Sequence, residues 1–192
     1  TKNALILRDL DLLAELAKDD LVHVYISLNT LDEQVRRKTE PRTASVKRRL
    51  QAIEKLSAAG VPVGVMVAPI IPGLTVEAVP GVLRAVAESG ARNAGYTMVR
   101  LNGQVGEIFT RWLEQAFPDR ANKVINQIKS VHGGQVNDSQ WGRRMKGGGE
   151  LAEVVADLFK LYKQKYLPNA GLPPYNTDLF RRPGHGGQQS LF

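Results

Sequence analysis

Apolar positions in the first hundred residues follow two alternating patterns. Short runs rich in β-branched residues, Leu21–Leu28 (LVHVYISL), Val61–Val67 (VPVGVMV) and Gly95–Leu101 (GYTMVRL), have the composition of strands. Between them, apolar residues recur three or four positions apart. Leu10, Leu13, Leu16 and Ala17 form one such stripe, with Asp9 placed to cap it. A short charged helix is predicted over Leu31–Lys38. Glu40-Pro41 ends it, because a residue before proline is pushed out of the helical region. Val46, Leu50, Ile53 and Leu56 form the next stripe, started by Thr43 or Ser45 and closed at Gly60 by a left-handed cap. A third carries Val79, Val82, Leu83 and Val86, with Pro80 in its first turn and Gly90 at its end.

Predicted strand starts near residues 22, 61 and 95 recur about every 35–40 residues, without internal repeats. Strands apolar on both faces and separated by helices imply a parallel sheet covered by helices. The fold class is therefore α/β. A partial (β/α) TIM-like barrel with parallel strands is the first reading, and an open doubly wound sheet is the second. Polar or special residues at each strand exit favour the barrel: Ser27-Leu28-Asn29-Thr30, Ala68 to Gly73, and Arg100-Leu101-Asn102-Gly103. Active sites of such folds sit at those carboxyl ends. From Gly106 the pattern turns helical. One helix carries Ile108, Phe109, Trp112, Leu113 and Phe117, a second spans about Asp119 to Val131, and a third Glu150 to about Tyr166. The glycine-rich loop His132–Gly149 interrupts them. Three parts are expected: a half-barrel over 1–105, a helical segment over 106–166, and a Pro/Gly-rich tail over 167–192.

Composition narrows the picture. With 43% hydrophobic and 23% charged residues, the 192-residue chain can bury a core. It has no cysteine, which excludes a disulfide scaffold and any thiolate metal site or iron–sulfur cluster held by this sequence alone. No apolar run approaches the ~20 residues that span a bilayer, and no signal-peptide pattern opens the chain, so a cytoplasmic protein is expected. Net charge is +7, spread over both halves. It is densest from Arg36 to Arg49, where seven basic residues meet one acid, Glu40. A smaller cluster is Arg143, Arg144 and Lys146. Solvated helix faces and a phosphate-facing role are both open readings of these clusters.

Conventional catalytic sets are missing. His23, His132 and His185 are far apart, and no zinc-protease, nucleophile-elbow or Walker motif occurs. The Gly147-Gly148-Gly149 run reads as a connector sooner than a phosphate cradle. What remains is a set of polar groups suited to a charged small molecule. Lys2 offers a point charge for a carboxylate or phosphate. Ser27 and Asn29 offer the hydroxyl and amide that read a ribose diol. Arg42 offers a planar fork for a carboxylate. Met66, Val67 and the Ile70-Ile71 loop offer flat apolar surface to an aromatic base.

The stretch from Thr1 to Leu74, above all EPR at 40–42 followed by GVPVGVMVAPIIPGL at 60–74, resembles radical S-adenosylmethionine (SAM) enzymes of the branch akin to spore photoproduct lyase. The resemblance implies a (β/α)6 barrel. It also implies a [4Fe-4S] cluster on three cysteines, and SAM cleaved reductively to a 5′-deoxyadenosyl radical that abstracts hydrogen, with DNA repair as the setting. Carried over, Lys2 touches the SAM carboxylate, Ser27 and Asn29 read the ribose, Arg42 holds the methionyl end, and Val65, Met66 and Val67 border the adenine. Tyr96 and Arg100 face the reaction chamber as the catalytic pair. The three-cysteine motif is absent, so the resemblance implies a fragment, inactive by itself, whose missing part is supplied by preceding sequence or a neighbouring copy. The opening Thr-Lys-Asn-Ala, without methionine, fits that expectation.

The ending Gln188-Gln189-Ser190-Leu191-Phe192 is similar to the peptide that docks bacterial repair proteins on the DNA sliding clamp, with Gln188, Leu191 and Phe192 as the contacts. Packing back on the domain is the other use for it. The rival from another class is a non-catalytic nucleic-acid-binding module. It would use the basic run Arg36–Arg49 and the cluster Arg143, Arg144 and Lys146, with Trp141 as a stacking platform.

Overall fold

The computed structural model describes residues 1–180. Three strands, β1 (Val24–Ser27), β2 (Val63–Ile70) and β3 (Asn93–Met98), form a parallel sheet in the order β1-β2-β3. Val24 pairs with Val63 and Ser27 with Met66; Gly64 pairs with Asn93 and Val67 with Tyr96. The connections are helical: α1 (Leu10–Lys18) precedes β1, α2 (Glu33–Thr39) and α3 (Val46–Ala58) link β1 to β2, and α4 (Val79–Glu88) links β2 to β3. This is a parallel (β/α) segment of the partial, TIM-like barrel kind.

Local chemistry explains the boundaries. Asp32 caps α2 by accepting from the Gln34 and Val35 amides, and Ser45 caps α3 by accepting from Arg48. Asp9 stands before α1 but does not cap it. Its carboxylate pairs with Arg8, and the residues before it (Ala4–Asp9) wind into a 3-10 helix. The strands are shifted from their predicted spans. β1 begins at Val24, two residues after Val22. β2 continues past Val67 to Ile70, through the cis Ala68-Pro69 bond, where a loop is predicted. There the ladder is irregular, Ile70 pairing with Met98, and one extra residue is absorbed between Val67 and Ile70.

Strand alternation divides the side chains. Val24, Ile26, Val63, Val65, Val67 and Ala94 enter one core with Ile53 and Leu56 of α3 and Val82, Leu83 and Val86 of α4. The long helix α7 (Glu150–Tyr166) returns to this core through Val155 and Phe159. The opposite face carries Tyr25, Gly64, Met66 and Gly95. It is tightly fitted: a Cβ on Gly64 would lie within 2.3 Å of the Tyr25 ring. A second core lies beyond the strand ends, where α5 (Val105–Ala116) and α6 (Ala121–Val131) gather Leu113, Val124 and Ile128 around Ile71, Val99 and Leu101. Residues 167–180 run along the amino ends of the strands. There the Gly171 amide donates to Arg92, the Asn176 amide donates to Asp20, and Tyr175 stacks on His23 at 4.1 Å. No helix among the described residues is long and apolar enough to cross a membrane.

Candidate active site at the strand ends

A cavity of about 430 Å³ opens at the carboxyl ends of all three strands, within the size range of small-molecule sites. Its floor is Asn29 after β1, Pro69 and Ile71 at the end of β2, and Val99 to Leu101 after β3. The carboxyl end of α2, Lys38 to Pro41, with Lys2, forms a polar wall, and Val105, Ile108, Phe109 and Trp112 of α5 form an apolar one. A roomier groove of about 560 Å³ lies between α2 and α3, but its Glu33 already serves Arg36, Arg37 and the Val46 amide.

The polar wall is built on a buried ion network. Arg49 is 1% exposed. Its guanidinium donates to the carbonyls of Ala44 and Ser27 (both 2.9 Å), to the Thr43 hydroxyl, and to Glu40 Oε2 at 2.6 Å. Glu40 Oε1 accepts from Lys2 Nζ at 2.5 Å. Arg36, also buried, donates to the backbone carbonyls of Glu40 and Thr43 and pairs with Glu33. Two of the seven basic residues between 36 and 49 are thus neither solvated nor aimed at a phosphate. They are internal ties that fix the α2–α3 turn against the end of β1. Both carboxylate oxygens of Glu40 are matched to a cation, which a buried charge requires.

Two side chains on the cavity floor have unmet hydrogen-bonding capacity. Asn29 is 1% exposed, and its Nδ2 donates to the Pro69 carbonyl at 3.3 Å. A carbonyl only accepts, so that contact fixes the amide with Oδ1 as a buried acceptor lacking a donor. Arg100 Nε is likewise buried without an acceptor, and its Nη1 has only the Met145 thioether at 3.5 Å. The end of β3 is held from the loop after α6. His132 Nε2 donates to the Val99 carbonyl at 2.9 Å, and the Met98 amide donates to Met145 at 2.8 Å.

The residues singled out from the sequence separate. Lys2, Asn29 and Arg100 meet at the cavity. Ser27 lies one step below the floor, its carbonyl held by Arg49. Arg42 is exposed beside Pro41, and the guanidinium that reaches the strand end is that of Arg49. Of Val65, Met66 and Val67, only Met66 is on the face away from the helices; the valines are buried under them. Tyr96 pairs in register with Val67 and so faces the same way. Its ring packs on Phe159 at 4.7 Å, and burial raises its phenol pKa. Arg143 pairs with Asp138, Arg144 lies over the Trp141 ring at 4.6 Å, and Lys146 is exposed on the same loop. The tail contacts Gln188, Leu191 and Phe192, and His185, lie outside the described residues. Sequence reasoning missed Glu40 at the cavity wall, Arg49 as its partner, and His132 as the support of the β3 end. Glu40 is the lone acid in a basic run, the one signal available; nothing local marks a buried arginine.

Comparison with known proteins bears on the fold. Residues 1–86 match the radical SAM superfamily model. An uncharacterized protein of Mycobacterium tuberculosis is 35% identical over 125 residues, which cover 64% of this chain and 37% of that protein. An uncharacterized protein of Acidianus two-tailed virus is 42% identical over 72 residues, 38% of this chain and 23% of that one. Among solved structures, a cysteine-to-serine mutant of spore photoproduct lyase superposes with a TM-score of 0.57 and 22% identity, covering 88% of this chain and 48% of that one. This chain therefore spans less than half the length of the curated relatives it matches.

Proposed function

Because residues 1–86 match the radical SAM superfamily model and the fold is similar to that of spore photoproduct lyase, we propose that the strand-end cavity is the SAM side of a radical enzyme's reaction chamber. In that superfamily SAM and a [4Fe-4S] cluster together supply a 5′-deoxyadenosyl radical. The residues present fit SAM. The buried, donor-less Oδ1 of Asn29 calls for a hydroxyl or ammonium proton, and SAM carries both. Beside it Lys2, whose ammonium has protons beyond the one given to Glu40, is proposed to meet the SAM carboxylate, and Met66, on the sheet face away from the helices, to border the adenine. The residues do not fit the cluster. This sequence contains no cysteine, so ligands for iron come from residues outside it. On this reading residues 1–105 are barrel, 106–166 close it on one side, and the chain is inactive without the cluster-bearing part.

Asn29 carries the proposal. Titration calorimetry of SAM into the chain tests it, with Asn29→Ala expected to weaken binding roughly tenfold. No heat of binding, or an Asn29→Ala affinity equal to the parent's, removes it. Iron analysis is the companion measurement, with no stoichiometric iron expected on this polypeptide.

DNA repair is the proposed setting, and DNA the proposed substrate. A second reading, a non-catalytic nucleic-acid module, has its own support. Trp141 is 83% exposed with Arg144 stacked on it, in a loop bearing Arg143 and Lys146. Single-stranded DNA binding that falls steeply with salt and is lost in Trp141→Ala, with no response to SAM, favours the module. The tail peptide at Gln188, Leu191 and Phe192 is proposed to dock on a sliding clamp; removing Leu191 and Phe192 is expected to abolish clamp binding.

A further inference from the structure

Three cations line the strand-end cavity, and their surroundings differ. Lys2 is neutralised by Glu40 at 2.5 Å. Lys38 donates to the Ala116 carbonyl at 2.6 Å and lies over the Phe117 ring. Arg100 holds no carboxylate and no oxygen acceptor among the described residues; its Nε is buried and idle, and its Nη1 meets a thioether, a poor acceptor. An arginine so placed is an unfilled planar fork, and a carboxylate or phosphate matches its geometry.

The wall beside Arg100 adds the second half of the specification. Val105, Ile108, Phe109 and Trp112 occupy one face of α5, at the spacing of a single helical stripe. A stripe of this kind is normally buried, yet Ile108 is 64% and Val105 50% exposed. The aromatic rings of this stripe are already set against one another, Phe109 to Trp112 at 5.2 Å, leaving a firm apolar surface and not a loose one. A cation at one end and an apolar strip alongside describe an amphipathic anion.

We propose that Arg100 and the exposed stripe of α5 form the substrate subsite of this cavity, taking an oxyanion that carries an aromatic or bulky apolar group. The subsite rests on the SAM reading only for its role in a reaction; the recognition chemistry is its own. Arg100 fixes the anionic end, α5 receives the apolar end, and the substrate lies across from the Asn29 and Lys2 side of the same cavity. His132 and Met145 are positioning residues, since they hold the backbone of β3's end just before Arg100.

Trp112 makes the test direct. The chain has two tryptophans, so Trp141→Phe leaves Trp112 as the sole reporter. Phenyl phosphate and benzoate are titrated against its fluorescence, with inorganic phosphate as the control lacking an apolar group. A saturable change with phenyl phosphate or benzoate is expected, and whichever binds more tightly identifies the anion as phosphate or carboxylate. Arg100→Gln should weaken it roughly tenfold, and Arg100→Lys less. Ile108→Ser, on an exposed site that does not threaten folding, should weaken the aryl anions and leave inorganic phosphate unchanged. No saturable change, or aryl-anion binding indifferent to both Arg100→Gln and Ile108→Ser, overturns the proposal. SAM binding is read separately by calorimetry. If SAM fails while the aryl anion binds through Arg100, the cavity's SAM role falls and this subsite stands.

Discussion

Arg49 shows what a single buried charge does in this molecule. Its guanidinium joins the end of β1, the α2–α3 turn and Glu40 in one network, so its removal strands a carboxylate that is itself buried. Arg49→Met is expected to lower unfolding stability by about 3–5 kcal/mol, measured by urea denaturation. The double change Arg49→Met with Glu40→Leu should recover part of that loss, because the uncompensated charge goes with it. Ile108→Ser is the contrast. At a position more than half exposed it should change stability by less than about 0.5 kcal/mol. A large loss there would mean that α5 is covered by something the described residues do not include.

Helices and loops add their own tests. Gly90 follows α4 with φ +93°, and a Cβ there would lie 2.5 Å from the Ser57 hydroxyl of α3. Gly90→Ala should therefore destabilise by about 1–2 kcal/mol, since both the backbone region and the space are wrong for alanine. The loop after α6 depends on Asp138. Its carboxyl is held below the usual range by the Gln140 amide first and the Arg143 guanidinium second. A carboxylate with a depressed folded pKa contributes fully above its ordinary value of 3.8 and loses that contribution as pH falls through the lower folded one. In a Trp112→Phe background, Trp141 emission should thus stay constant through neutral and mildly acidic pH and change only below about pH 4. A transition in the neutral range would overturn the assignment to Asp138.

Across the whole molecule, the two cores divide the work. The sheet core, closed by α3, α4 and α7, holds the strands; the smaller core under α5 and α6 sets the apolar wall of the cavity. Phe159 ties α7 to Tyr96 and the sheet. Phe159→Ala is expected to cost about 3–5 kcal/mol in chemical denaturation, while aryl-anion affinity at Arg100 falls much less, because Phe159 supports the far face of β3. Burial also acts on Tyr96. Its phenol is desolvated against α7 and its pKa moves up, away from neutrality.

Much of this was legible in the chain. The helical stripes at Val46–Leu56 and Val79–Val86 and the run that became β2 follow from spacing and composition, which act locally, and Ser45 was one of the two caps open for the first stripe. The radical SAM resemblance came instead from the motifs at 40–42 and 60–74. That Asn29 and Arg100 line one cavity reflects the way residues just after parallel strands gather at one end of the sheet, whereas the role given to Arg100 came only from the resemblance. Facing and partnership were decided elsewhere. Whether Val67 and Tyr96 point to the helices or the cavity depends on register with neighbouring strands, and one residue of slip reverses it. Which arginine near Glu40 is buried depends on how α3 settles on β1, and that selected Arg49 over Arg42. Periodicity along the chain determined which elements form and in what order. Long-range packing decided which polar groups are satisfied from within and which, at Asn29 Oδ1 and Arg100 Nε, have no hydrogen-bond partner among the described residues, because a buried polar atom's partners come from distant segments that no local pattern specifies.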